Sequence, residues 1–347
     1  MMKSAHWRLS PAMILLICGL LVTAFIATHF GALALDQSAW FFWMKSHDVS
    51  ALSVGQVHIL WNIRIPRIIF AGLIGACLGF AGALTQSLFR NPLAEPGLLG
   101  ISSGAACAAS LSIIFLAHSS EANTLSGHWL ILPLIAFFGA VSVCLFLDGV
   151  SRKLMAGSIG GLLLTGIAVN ALAGAVIGLC AYVATDSQLR SLTFWTLGSL
   201  ASASWSLIAV ASGLLICVWF ATRPLMQNLN ALMLGESIAR HVGVSLPKLR
   251  VRVILMVATL AGFAVAFCGV IGFIGLAAPH LVRLVAGSNL RRVLPRSAIV
   301  GAILLICADT LARSIAAPAE VPVGIFTALL GSTFFFWLLA QHRRGVV

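Results

Sequence analysis

Residues 66–88 read PRIIFAGLIGACLGFAGALTQSL. After Arg67 this stretch holds no charge. At about 1.5 Å of rise per residue, a helix of this length crosses the roughly 30 Å hydrocarbon core of a bilayer. The apolar residues form a continuous run rather than a strict alternation, which fits a helix better than a barrel strand. Similar runs recur at 11–31, 95–116, 129–150, 157–183, 203–221, 251–270, 272–286, 297–316 and 322–341, with short polar stretches between them. The run 272–286 is short for a full crossing and is interrupted by Pro279 and His280, which predicts a tilted or half-buried helix.

Composition points the same way. Of 347 residues, 60% are hydrophobic and 9% charged, against about 45–50% and about 25% for soluble domains. Too few charges exist to cover a soluble enzyme, and too many apolar residues for a disordered chain. The expected fold is an all-α integral membrane protein of about ten transmembrane helices, forming one domain over 1–347. No low-complexity segment or internal repeat interrupts it. Lys3 and Arg8 before the apolar start resemble a signal peptide. The run continues to about Leu35 with no clear cleavage site, so a retained first helix is expected. The eight cysteines lie in apolar segments at least 30 residues apart, a spacing that offers no metal site.

The net charge of +12 comes with a single tyrosine and scattered basic residues, which argues against nucleic acid. It fits the positive-inside bias of loops. With both termini cytoplasmic, 16 of the 21 Lys and Arg fall inside. Lys45, Arg64, Arg67, Arg190 and Arg313 remain outside, against the bias. Arg64 and Arg67, in Arg64-Ile-Pro-Arg67, share a helix face at the expected opening of the second long helix. Two guanidiniums there could dock carboxylates, or simply snorkel. Asp309 and Arg313 are spaced to pair on one helix face, and Arg313 then joins Arg64 and Arg67.

Three further segments stand out. Arg90-Asn91-Pro92 through Gly100 breaks any helix. Segment 229–246 is too polar to span and too patterned for a plain loop, which predicts one or two short amphipathic helices on the cytoplasmic face. Gly269, Gly272 and Gly275 recur every three residues and are expected to thin one helix face. None of the four lysines follows a glycine, so GxxxxGK[ST] does not occur.

The motifs RIPR (64–67), QSLFRNPLAEPGLLGISSGAA (86–106), ALMLGESIARHVGV (231–244), GFIGLAAPHLVRL (272–284) and the run 294–339 together resemble the FecCD-type permease subunits of type II ABC importers. That family moves vitamin B12, iron–siderophores and haem. The resemblance covers nearly the whole chain. It implies a homodimer with the path at its interface, and a multi-pass location in the bacterial inner membrane. Two ATPase subunits dock beneath it and a periplasmic binding protein above. It implies that Arg64, Arg67 and Arg313 meet acidic residues of the binding protein. Leu232, Leu234, Gly235, Glu236, Ala239, Arg240 and Gly243 would couple to the ATPases. No cofactor is held permanently, no metal site is implied, and ATP is used by the partner chains.

The segment Arg190-Ser-Leu-Thr-Phe194-Trp195-Thr-Leu-Gly198 resembles the haem and siderophore branches. There Arg190 would attract haem propionates, and Phe194 or Trp195 would flank a porphyrin in the translocation path. Haem or another iron chelate is the expected cargo, with cobalamin as the alternative. Two other classes compete. An ion-coupled secondary transporter would use Asp309 and Glu95. A redox haem protein would use His29 and His280.

Overall fold

A computed structural model describes residues 10–31, 51–116, 128–154, 159–316 and 319–343. Fourteen α-helices follow one another: α1 Pro11–His29, α2 Ala51–His58, α3 Ile65–Phe89, α4 Ile101–Leu116, α5 His128–Leu154, α6 Ile159–Val183 and α7 Asp186–Leu197, then α8 Trp205–Thr222, α9 Met226–Leu234, α10 Glu236–His241, α11 Leu246–Cys268, α12 Ile274–Ala286, α13 Leu290–Ile315 and α14 Val323–Arg343. No strand occurs among the described residues. Among the described residues, seven stretches are long and apolar enough to cross a membrane, and three shorter apolar helices accompany them: Ile101–Phe115, Ile274–Ala286 and Val323–Phe336. The protein is an all-α membrane bundle of around ten spanning elements.

The helices follow the apolar runs closely, with three physical exceptions. Arg64 and Arg67 do not open a helix. The chain is helical without a break from Ala51 to Phe89, and Ile59–Arg64 winds as wider π-helix turns. Pro66 lies just after this segment, where the ladder is already shifted and one missing amide is tolerated. The second exception concerns the glycines at 269–275. They do not share a helix face. Gly269 ends α11 with a left-handed φ of 70°, and the chain stays non-helical until Ile274. Only Gly275 lies within a helix.

The run 95–116 is also divided. Pro96–Leu99 makes a single 3-10 turn, Gly100 turns left-handed at φ 72°, and α4 starts at Ile101.

Helix α3 is the axis of the bundle, and α13 is its most extensive partner. Small residues set their approach. A Cβ on Gly75 would overlap the carbonyl oxygen of Gly301, and one on Gly82 would overlap that of Gly275 in α12. Without a hydrophobic drive between helices in lipid, such close backbone contact supplies the packing energy. Around this centre, α1, α5, α6 and α8 bury little of their length. They present side chains such as Leu15, Phe138, Leu164 and Phe220 outward, as membrane-facing helices do.

Candidate docking and coupling sites

Two polar sites lie at opposite ends of α3. At its N-terminal end, contact between α3 and α13 brings Asp309 against Arg67. Asp309 Oδ1 accepts from Arg67 Nη2 at 2.9 Å and from Nε at 3.1 Å. Arg67 Nη1 donates to both oxygens of Glu320, each at 2.9 Å. Arg313, one turn beyond Asp309, places Nε 3.3 Å from Asp309 Oδ2 as an ion contact. Its Nη2 donates to the carbonyl of Ala27 at 2.7 Å. Arg64 Nη1 donates to the carbonyl of Thr28 at 2.9 Å.

The final turn of a helix leaves carbonyls without intrahelical partners and carries partial negative charge. Arg64 and Arg313 therefore cap the C-terminal end of α1. Sequence reasoning missed this role, and the positions of the two arginines carry no signal for it.

The structure brings Arg64, Arg67 and Arg313 together, but not as surface guanidiniums. All three are buried, and Asp309 is only 1% exposed. The exposed charge of the cluster is a carboxylate, since the side chain of Glu320 is 47% exposed. Asp309 binds two guanidiniums, so it is not a free cation site of the kind an ion-coupled transporter needs.

At the other end of α3, Arg90 takes a left-handed turn at φ 52°. Its guanidinium reaches Glu236 at 3.5 Å, and Glu236 also lies 3.6 Å from Arg240. Helices α9 and α10 form a bent projection broken at Gly235, whose φ of 136° suits glycine alone. Leu229, Leu232 and Ala239 are buried and anchor the projection on the bundle. Leu234, Arg240 and Gly243 are exposed. Val242 and Ile238, the latter not singled out from the sequence, join Leu234 in an exposed apolar knob. Asn230 fastens the projection to α13 by accepting from the backbone N–H of Leu290 at 3.1 Å. A small recess beneath is lined by Leu88, Phe89, Leu162, Leu232, Glu236 and Arg250, with Leu246.

Helix α7 carries the aromatic segment. Thr185 and Gln188 form a capping box at its start. Gln188 and Leu192 face inward, so Arg190 and Phe194, four residues apart, share the exposed side. Trp195 turns the other way, half-buried against the core. The helix ends at Gly198, whose carbonyl accepts from the N–H of Val323 at 3.2 Å. Gly198 also lies against the carbonyls of Val270 and Cys268.

Between the two ends, Glu95 is half-buried beside α12. Its carboxylate accepts a hydrogen bond from the backbone of Phe273. His29 hydrogen-bonds Phe25 in α1 at 3.0 Å, whereas the ring of His280 stands edge-on to Phe334 of α14. The two histidines do not converge. Among the described residues, no group of three or more His, Cys, Asp or Glu could hold a metal ion.

A many-span helical bundle with a charged cluster at one end and an exposed knob at the other, and with no phosphate-binding loop in its sequence, has the features of a transport permease. The comparisons place it more narrowly: the chain belongs to the FecCD transport family, whose profile matches residues 19–341. It is 41% identical over 340 residues to the hemin transport system permease protein HmuU of Yersinia pestis, covering 97% of this chain and 98% of that one. It is 39% identical to the vitamin B12 import system permease protein BtuC of Vibrio cholerae, covering 85% and 86%. A solved inward-facing metal-chelate type ABC transporter superposes with a TM-score of 0.79 at 29% identity, covering 95% of this chain and 99% of that one. The protein is thus an ABC importer permease, a transport component whose family keeps its ATPase on separate chains.

Proposed function

We propose that this permease moves haem from the periplasm to the cytoplasm across a bacterial inner membrane. The whole-length likeness to a hemin permease carries this reading. The exposed Arg190 and Phe194 support it, because they offer a cation for propionates and an aromatic face for a porphyrin on one side of α7.

Two copies form the transporter, with the path between them. A pair of ATPase subunits takes the knob of Leu234, Ile238 and Val242 into a cleft. ATP-driven closure of that pair moves α9 and α10. Glu236 and Arg90 pass the movement to the end of α3. A loaded periplasmic binding protein docks at the opposite end, above Arg64, Arg67 and Arg313. The path then opens to one side and the other in turn.

Proteoliposomes carrying this chain, its ATPase and its binding protein test the reading. Haem, a ferric siderophore and cobalamin are offered with and without ATP. ATP-dependent uptake of haem alone is expected. Uptake of cobalamin instead moves the chain to the other branch, matched at 39% identity. Gradient-driven uptake without ATP refutes the importer mechanism.

A further inference from the structure

We infer that Glu320 is an internal counter-ion which a docking partner's carboxylate must displace from Arg67. The inference rests on the docking role proposed above. An acidic partner approaching this end first meets Glu320, because the guanidiniums lie beneath it. Every nitrogen of the Arg67 guanidinium is already engaged by a carboxylate of this chain. Its Nε and Nη2 are held by Asp309 at 2.9–3.2 Å, and its Nη1 by both Glu320 oxygens at 2.9 Å. Asp309 is almost fully buried and stays in place. Glu320 is half-exposed and sits on the short segment that leads into α14. It is the partner of Arg67 that can leave.

Three arginines face two acids, so the cluster keeps a net positive charge that draws in an acidic surface. Displacement also has a mechanical result. The N–H of Val321 is held by the carbonyl of Ala312 at 3.2 Å, and that of Val323 by Gly198 at 3.2 Å. Gly324 rests against the carbonyls of Leu197 and Val270. Moving Glu320 therefore pulls on the junction of α7, α11 and α14. Docking would reach the helices at this end through the acid it expels.

The experiment uses the complete permease–ATPase complex in nanodiscs. It is titrated with the haem-loaded periplasmic binding protein of the same organism's hemin uptake system. Glu320→Gln is expected to tighten binding about fivefold, the size of a half-exposed ion contact removed from competition. Asp186→Asn removes another exposed acid, at the start of α7, and should change affinity less than twofold. Arg67→Gln should weaken binding more than tenfold. If Glu320→Gln binds no tighter than Asp186→Asn, the displacement is refuted. If Arg67→Gln leaves binding unchanged, the docking role itself fails. Should the glutamine variant aggregate, Glu320→Asp carries the charge on a shorter arm: tighter binding supports the inference, and unchanged affinity overturns it.

Discussion

Asp309→Asn is the substitution that most directly measures what holds α3 to α13. The wild-type carboxylate is 1% exposed and meets Arg67 at 2.9–3.2 Å and Arg313 at 3.3 Å. The amide keeps one oxygen acceptor but no charge. A hydrogen bond to a charged group contributes about 1.5–3 kcal/mol and a neutral one about 0.5–1.5 kcal/mol. Weakening two guanidinium contacts costs about 2–4 kcal/mol, below the roughly 3–5 kcal/mol of breaking a buried pair outright. Glu320→Gln breaks a half-exposed pair and should cost at most about 1 kcal/mol. For a chain of this length, 1 kcal/mol lowers Tm by about 1–2 °C. Asp309→Asn should therefore melt about 3–6 °C below wild type, and Glu320→Gln within about 2 °C of it. The nine tryptophans provide an intrinsic fluorescence readout in nanodiscs. Equal shifts, or a larger one for Glu320→Gln, would refute the view that the buried half of the cluster carries its stability.

Other outcomes follow from the same geometry. Gly82→Leu drives a side chain into the Gly275 backbone and should cost about 1–3 kcal/mol or more, seen as a lower Tm and poor yield of monodisperse protein. Gly235→Val forces a β-branched residue to φ 136°, which should cut ATP-driven uptake at least about tenfold while the bundle still melts near wild type. Arg190→Ala should raise the haem KM several-fold with little change in Tm, since its side chain is exposed.

The spans were legible because lipid imposes one simple rule, a long apolar run, and apart from the divided run 95–116 each run became a helix within a few residues. The continuous rod from Ala51 was not legible, because its first part mixes polar residues such as Gln56 and Asn62 with apolar ones. The cluster was half legible. The spacing of Asp309 and Arg313 predicted their pairing, but Arg67 and Glu320 are 253 positions apart and only the folded bundle joins them. Their burial was hidden too, since an arginine at a helix end looks the same whether it snorkels outward or caps a neighbour. In the coupling segment, the family resemblance pointed to Glu236 and Arg240, whereas the outward turn of Ile238 and Val242 depends on the bend at Gly235, which the sequence alone does not display.

The break at Gly269–Phe273 also constrains how the chain can be built into a membrane. Helix α12 has 13 residues, about 20 Å, well short of a bilayer crossing. It begins level with Gly82, so the irregular segment before it lies at membrane depth, where bare amides are costly. Part of its cover comes from earlier in the chain: Glu95 accepts from the backbone of Phe273, and the N–H of Ser199 occupies the Cys268 carbonyl. During synthesis these earlier residues emerge first and await the later helices. A C-terminal half translated alone would meet lipid with that segment uncovered, so splitting the gene after α10 should yield a fragment that inserts only when its N-terminal half is co-produced.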